Sequence, residues 1–414
     1  IGIYYLVGRE NIAYAIAYVE VFKIVLAGFF FYLYLRMLRL SKYSTIVGGL
    51  LYSFTGFIIL GGGWYGFSYE ALLAAVLLYS FEKFFQQNIW YLLPICFALI
   101  GIFQPFYLIL YGMLTFAYAT IRYLDERQYS LKNLSLLWLK IGGIFFLGAV
   151  ISSVFLFSDM QQLLQSPRVG GEASYFSALL SRPIFELGDP ILYISILARF
   201  FSSDLLGTGN VFKGWYNYLE SPLAYCGLLC VLLSPLFFSF LDRRRRILYS
   251  VPVGLFAVAL VFPFFRHLFW GFTGDYFRAF SFYIALMMLF FSLQALSNID
   301  RLSKINKKFL IASLVVALLV LYFPFNQKND LLDGDLRSVV SAFLVIYTVL
   351  IFMMGSREYK LFAQAGLLLA VCFELAYFSN ITVNKRDILA SDEMRRKTGY
   401  NDYTNDAVAY LDSL

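Results

Sequence analysis

Residues 134–157 read LSLLWLKIGGIFFLGAVISSVFLF, an apolar run long enough to cross a bilayer, which takes about 20 residues. The chain then changes character, because residues 158–221 carry charge, glycine and proline, as in SPR at 166–168, GGE at 170–172 and GDP at 188–190. This boundary predicts a membrane domain that emerges into a long extramembrane segment.

Segment 158–221 contains two apolar stretches, 173–181 and 191–206, that are too short or too polar to span a membrane. The second stretch carries four polar residues at helical spacing on one face: Ser195, Arg199, Ser202 and Ser203. That pattern is typical of a helix that lies in the membrane interface. We therefore expect two short helices to roof the membrane domain, with a functional site beneath them.

The composition predicts a polytopic membrane protein. Hydrophobic residues make up 60% of the 414 residues, charged residues make up 14%, and the mean hydropathy is +0.71. Soluble domains are about a quarter charged, and apolar runs of spanning length recur along this chain. The net charge of +7 does not indicate a nucleic-acid partner, because most basic residues cap the predicted spans on one side.

Cysteine and histidine usage limits the possible chemistry. The four cysteines lie inside apolar runs without a CxxC pair, and His267 is the only histidine. These features argue against a disulfide framework and a multi-histidine metal site. We expect no cofactor, and a divalent metal ion is left open.

The apolar runs predict an all-α fold with about twelve transmembrane helices, oriented by the rule that basic loops stay inside. We expect a membrane domain at 1–379 and an external polar tail at 380–414, with residue 1 also outside. The strongest orientation signal is the basic run at 243–246. The predicted spans are 11–35, 44–60, 69–85, 89–103, 106–121, 134–157, 222–241, 247–265, 278–296, 309–325, 338–354 and 361–378.

Four of the charged residues inside predicted spans lie away from the span ends, where charges are costly and often functional. Glu20 and Lys23 are three residues apart on one helix face and are interpreted as a structural pair. Glu374 has no partner within its own span, so it either lines a polar cavity or pairs with an arginine on another helix. Lys140 lies close enough to the inner face to extend its amine to the interface, and no role is assigned to it.

Three external arginines are candidates for substrate binding. Arg278 opens an inward span and can form a fork of hydrogen bonds to a phosphate, or it anchors the interface or pairs with Asp275. Arg168 lies in a glycine-flanked turn that allows close approach of a ligand, or in a solvated loop. Arg266 precedes His267 at an external corner, where a lone histidine is more typical of an interface residue than of a base.

The carboxylates of the external stretch are candidates for a general base, although their spacing favours none of them. Asp189 precedes a proline and also fits the cap of the interfacial helix. Glu70 opens the third span and suits a helix N-terminus electrostatically. The candidates considered in segment 158–221 are Asp159, Glu172, Glu186, Asp189 and Asp204.

Several passages, in this order, resemble the YfhO family of bacterial membrane proteins. The passages are FKIVLAGFFFYLYLR at 22–36, GGLLYSFTGF at 48–57, QSPR at 165–168, YCGLL at 225–229 and YNDYTNDAVAYL at 400–411. They are mainly apolar and individually weak, but together they cover most of the chain. The resemblance implies a location in the bacterial cytoplasmic membrane.

This family is in turn similar to GT-C glycosyltransferases, which transfer a sugar from a polyprenyl-phosphate carrier to an acceptor outside the membrane. In that fold the catalytic acid usually lies in the first external loop, of which this chain holds only the far end, with Arg9 and Glu10. The resemblance therefore implies a fragment that lacks an N-terminal span and loop and an external C-terminal region. The catalytic acid is accordingly expected upstream of residue 1, with Glu10 and Asp189 as weak candidates within this chain.

The leading hypothesis is a membrane glycosyltransferase core that acts on a lipid-linked sugar and a cell-envelope acceptor. Arg278, Arg168, Arg266 and Glu374 are the proposed substrate-binding residues. The alternative is a lipid or polysaccharide translocator without chemistry, which needs a continuous polar path. A third hypothesis, a non-catalytic assembly subunit, predicts a roof collapsed onto the bundle with no cavity. Membrane lipids are the expected surroundings in each case.

Overall fold

The computed structural model describes residues 2–8, 11–63, 66–126, 129–167, 169, 174–325, 331–385, 390, 392 and 404–414. Within these ranges the regular structure is entirely helical, and 78% of the chain is helix. The helices are α1 (Gly2–Val7), α2 (Ile12–Met37), α3 (Lys42–Ser53), α4 (Gly56–Ile59), α5 (Gly66–Gln87), α6 (Leu92–Phe103), α7 (Pro105–Glu126), α8 (Leu131–Ile151), α9 (Ser153–Gln165), α10 (Tyr175–Leu180), α11 (Pro190–Phe201), α12 (Leu228–Phe237), α13 (Arg243–Val261), α14 (Pro263–Phe269), α15 (Phe277–Leu302), α16 (Lys307–Leu321), α17 (Gly334–Met354), α18 (Lys360–Asn384) and α19 (Thr404–Asp412).

Five of the described helices are long and apolar enough to cross a membrane: α2, from Tyr14, and all of α8, α15, α17 and α18. A sixth candidate is the pair α13 and α14, which bends by 113° at Phe262. The all-α membrane architecture is therefore confirmed, whereas the count of twelve spans is not. The other predicted spans correspond to helices that are shorter, broken or more polar.

The helices pack as two groups joined through α15. In the first group α2 contacts α3 and α5, and α6 contacts α8; in the second α12 contacts α15 and α16, and α17 contacts α18. Helix α15 also packs on α3. Stacked aromatic rings fill these contacts, with ring centroids 4.2 Å apart for Phe31 and Tyr52 and 4.3 Å apart for Phe57 and Phe282. Aromatic side chains therefore form much of the packing around the contact between the two groups.

Basic helix ends meet at one end of the bundle, which we call the basic end. Arg244 donates to the backbone oxygen of Leu124 at 2.7 Å, and Arg245 pairs with Asp125 at 2.7 Å. Arg301 donates to the backbone oxygen of Arg39, which follows α2. The basic clusters that the orientation rule placed on one side therefore do come together.

The opposite end, which we call the site end, holds segment 158–221. Here α9 continues the helix to Gln165, beyond the predicted end of the span at 157. The two predicted short helices are present as α10 and α11, and Asp189 caps α11 by accepting from the backbone nitrogen of Ile191 at 3.0 Å.

The orientation of α11 differs from the prediction. Its polar face does not meet water, because Ser195, Arg199 and Ser202 are fully buried against the protein. The backbone nitrogen of Trp215 donates to Ser195 Oγ at 2.8 Å, so residues after α11 fold back over this face. Helical spacing identified the face correctly but could not show on which side the protein lies.

Candidate functional site

Arg278 forms the centre of the candidate site, at the start of α15. Its side chain is largely buried, and it forms an ion pair with Glu220 near the end of segment 158–221. The guanidinium carbon lies 4.9 Å from the centre of the Phe67 ring. The predicted alternative of a pair with Asp275 is wrong, because Asp275 pairs with Arg266. Segment 158–221 contributes a carboxylate to Arg278 instead.

Glu70 and Tyr107 surround the same arginine. Both lie within electrostatic range of Arg278, at the starts of α5 and α7. Glu70 is buried, and its Oε1 has no hydrogen-bond partner. Three helix starts therefore bring a cation, a carboxylate and a phenol together, although no local spacing in the sequence connects these residues.

A cavity of about 680 Å³ lies in the bundle between α2, α5, α7, α13, α14 and α15, and Arg278, Glu70 and Tyr107 are not among its lining residues. Tyr107 links the cluster to the cavity, because its ring centroid lies 6.5 Å from that of Tyr111, which lines the cavity with Tyr283. The cavity reaches Arg122 at its other end. From Tyr111 to Arg122 the helical rise is about 16 Å, and aromatic and aliphatic side chains form nearly all of the wall.

The cavity opens sideways between α7 and α13. Leu255 on α13 is 67% exposed and Met113 on α7 is 45% exposed, and both line the cavity. At the basic end this gap is closed by Arg245 and Asp125, which connect the two helices. The opening therefore faces the surroundings of the bundle, which for apolar side chains is the lipid.

Arg266 is fully engaged by Asp275. Its Nε donates to Oδ1 at 2.6 Å, its Nη2 donates to Oδ2 at 2.8 Å, and its guanidinium carbon lies 4.3 Å from the centre of the Phe277 ring. Burial acts to raise the pKa of Asp275, but the hydrogen bonds and charges of Arg266 and His267 lower it well below its usual range. This arrangement indicates an anchor for the loop before α15, and Arg266 has little capacity left for a ligand.

Glu374 is fully buried at the joint of α12, α17 and α18. Its Oε1 accepts from Tyr225 Oη at 2.6 Å and from the backbone nitrogen of Leu228 at 2.7 Å, and its Oε2 accepts from Tyr347 Oη at 2.5 Å. Neither predicted alternative is correct, since these partners are not arginines and the residue lines neither described cavity. The carboxylate caps the start of α12 and joins three helices.

The remaining sequence candidates contribute less. Asp189 is exposed and caps α11, whereas Glu10 and Arg168 lie outside the described residues. Glu20 and Lys23 form the predicted pair, and Ser68 on α5 also donates to Glu20. Within the described part of the chain, no group of three His, Cys, Asp or Glu side chains could hold a metal ion.

Arg199 lies on the polar face that was predicted for an interfacial helix, and the structure shows it as a buried cation. None of its guanidinium nitrogens has a hydrogen-bond partner, and the Phe212 ring centre lies 5.0 Å from the guanidinium carbon. Burial lowers the pKa of Arg199 to about 10, while the charge of Asp204 acts in the opposite direction. Asp204 itself accepts from Thr382 near the end of α18. This second polar cluster lies at the same end of the bundle as Arg278.

Comparison with protein families gives one match. The family model described as "Bacterial membrane protein YfhO" matches residues 2–413, nearly the whole chain. Comparisons with curated proteins and with solved structures gave no match.

Proposed function

The chain belongs to the YfhO family of bacterial membrane proteins, and from this premise we propose that it is the core of a GT-C-type glycosyltransferase with about twelve spans. It transfers a sugar from a polyprenyl-phosphate carrier to a cell-envelope acceptor on the outer side of the bacterial cytoplasmic membrane. The GT-C assignment rests on the resemblance of the family to those enzymes. The observation that carries the proposal is that Tyr107, which neighbours Arg278, packs on Tyr111 in the wall of a long apolar cavity.

This combination suits an amphiphile with an anionic head. A volume of 680 Å³ falls within the range of small-molecule sites, about 300–1,000 Å³. The extent of about 16 Å along α7 corresponds to one leaflet of a hydrocarbon core that is about 30 Å thick. Arginine binds phosphate oxygens through parallel hydrogen bonds, so Arg278 can hold the head while the cavity holds the chain.

The proposed reaction is a direct displacement. The acceptor oxygen forms a bond to the anomeric carbon, while the bond from that carbon to the phosphate oxygen breaks and its electron pair leaves with the phosphate. A carboxylate takes the hydroxyl proton. Arg278 stabilises the charge that develops on the departing polyprenyl phosphate, which takes the place of Glu220 on the guanidinium.

The identity of the base is also a proposal. The resemblance places it in the first external loop, where Glu10 is the candidate in this chain. Glu70 is a second candidate, because its unpartnered Oε1 is buried and its carboxylate lies within electrostatic range of Arg278. Asp189 is less suitable, since it is exposed and already caps α11.

The packing gives less support to a translocator. Such a protein needs a continuous polar path, for which Glu20, Lys23 and Glu374 were the candidates. Glu20 and Lys23 pair with each other, Glu374 is enclosed by two tyrosines, and none of the three lines the large cavity. The presence of that cavity likewise gives less support to an assembly subunit with a collapsed roof.

The test is sugar transfer by the membrane-reconstituted chain supplied with a labelled polyprenyl-phosphate sugar and cell-envelope acceptor. We expect Arg278→Ala to lower the transfer rate about 100-fold, the loss typical of removing one group that stabilises developing charge. Arg182→Ala is the matched control, because Arg182 is an exposed arginine of the same external segment. Equal rates for the Arg278→Ala variant and the unmodified chain would contradict the proposal.

A further inference from the structure

A second cavity, of about 300 Å³, lies between α5, α7 and α8 near the basic end. It shares no lining residue with the larger cavity. Phe84 and Leu137 contribute to its apolar wall, and its polar groups include Asn88, Asn133 and Lys140. Polar and apolar groups are thus combined in one cleft at the side of the bundle.

Lys140 points along this cleft because of its place on α8. Asn133, Leu136, Leu137 and Lys140 are spaced i, i+3, i+4 and i+7, so they share one helix face. From Leu131 to Lys140 the rise is about 14 Å, and helical side chains tilt toward the N-terminus, which here is the basic end. The lysine stem therefore runs along the cleft and carries its amine toward the interface.

The amine of Lys140 has no acidic partner among the described residues. Glu82 on α5 and Glu126 on α7 both pair with Arg122, at 2.7 and 2.6 Å, and the Arg122 guanidinium carbon lies 5.8 Å from the centre of the Phe85 ring in the cavity wall. An amine carried to the interface in this way meets the anionic groups of lipid heads. Leu136, 45% exposed, lies at the open side of the cleft, so such a group can enter from the bilayer.

We propose that this cavity binds an anionic phospholipid of the leaflet at the basic end. Lys140 pairs with the lipid phosphate, the amides of Asn88 and Asn133 donate hydrogen bonds to headgroup oxygens, and an acyl chain covers Leu136 and Leu137. Basic pockets between membrane helices on the cytoplasmic side bind anionic headgroups in this way. The basic loops of this chain predict that the leaflet is the cytoplasmic one.

The test uses the full chain in lipid nanodiscs and native mass spectrometry in matched detergent. Phosphatidylglycerol is titrated against phosphatidylcholine, and retained lipid and the unfolding temperature are both measured. We expect Lys140→Gln to weaken phosphatidylglycerol binding about fivefold, the effect of one basic residue near a membrane surface. Lys132→Gln, which removes an exposed lysine of the same helix that does not line the cavity, should leave binding unchanged.

A filling variant tests the apolar part of the site. Leu137→Trp keeps the lysine but occupies the space for the acyl chain, so it should also lose the retained lipid. Equal phosphatidylglycerol binding by Lys140→Gln and the unmodified chain would overturn the proposal. Stabilisation by inorganic phosphate alone, equal to that by the lipid, would show a free-anion site and would overturn the assignment to a lipid.

Discussion

The guanidinium of Arg278 is paired with the carboxylate of Glu220, which joins the first turn of α15 to the end of segment 158–221. The pair is 10% and 24% exposed, so it lies at the edge of the buried region. An arginine that is paired with a carboxylate at such an edge can accept another anion in its place. In our account that anion is the phosphate of the lipid carrier.

Removing the competing carboxylate is therefore expected to favour the lipid phosphate. We predict that Glu220→Gln tightens binding of polyprenyl phosphate several-fold, because the ligand no longer displaces a charge from Arg278. Equilibrium binding of fluorescent polyprenyl phosphate in detergent measures this. Glu186→Gln, a change of an exposed carboxylate in the same segment, is the control. Weaker binding by Glu220→Gln would show that Glu220 positions the arginine for the ligand and does not compete with it.

The large cavity is expected to hold the hydrocarbon chain of the donor. Ala117 lines it at an exposed position on α7, and Ala117→Trp places an indole in the opening. We predict that KM for a long-chain polyprenyl donor rises about tenfold while KM for a short, water-soluble analogue is unchanged. Ala365→Trp, on an exposed face of α18 away from the cavity, is the control. Equal effects on both donors would remove the cavity from chain binding.

Glu374 is expected to be structural. Its carboxylate accepts three hydrogen bonds, whereas glutamine can accept only with its single oxygen and presents an NH₂ group to a donor. We predict that Glu374→Gln lowers the free energy of unfolding by about 3 kcal/mol, since charged hydrogen bonds are lost and a buried donor is left unpaired. Thermal unfolding in detergent measures the loss, and the exposed Glu358→Gln change should have no effect. An unchanged melting temperature would show that Glu374 is not needed to join α12, α17 and α18.

Asp275 gives a pH-dependent prediction. Arg266 and His267 lower its pKa in the folded protein below the unfolded value of about 3.9, so its contribution to stability is complete above about pH 4 and is lost as the pH falls through the folded pKa. Asp275→Asn should cost about 3 kcal/mol at pH 7, because Arg266 is left buried without its partner. The difference in unfolding temperature between the two proteins should shrink below about pH 4. A difference that is constant from pH 7 to pH 3 would argue against this ion pair.

The membrane character of the fold could be predicted from the sequence, because the thickness of the bilayer sets the length of apolar runs and basic loops mark its inner side. The number of spans could not, since residues such as Ser152 and Phe262 interrupt apolar stretches whose composition alone does not show a bend. The short helices α10 and α11 were also predicted. The side to which the polar face of α11 turns was not predicted. Helical periodicity shows which residues share a face but not what that face packs against, and the buried Arg199 is an example.

The candidate site was partly predictable for a similar reason. Arg278 stands out as an arginine at the start of a span, but its partner Glu220 is distant in sequence and no local spacing connects them. Glu374 could be recognised as a charge that is costly to bury. Its partners Tyr225 and Tyr347 could not be recognised, because tyrosines are uncharged and are common in this sequence. The cavity arises from the separation of α7 and α13, which is a property of packing and not of either helix alone.

The central claim is that sugar transfer and release of the lipid carrier are one event. The most direct measurement is the ratio of sugar incorporated into the acceptor to polyprenyl phosphate released, for the unmodified chain in sealed vesicles with a doubly labelled donor. The account predicts a ratio of one, with both signals lost together in Arg278→Ala. Movement of intact polyprenyl-phosphate sugar across the bilayer without release of polyprenyl phosphate would contradict it and would favour a translocator.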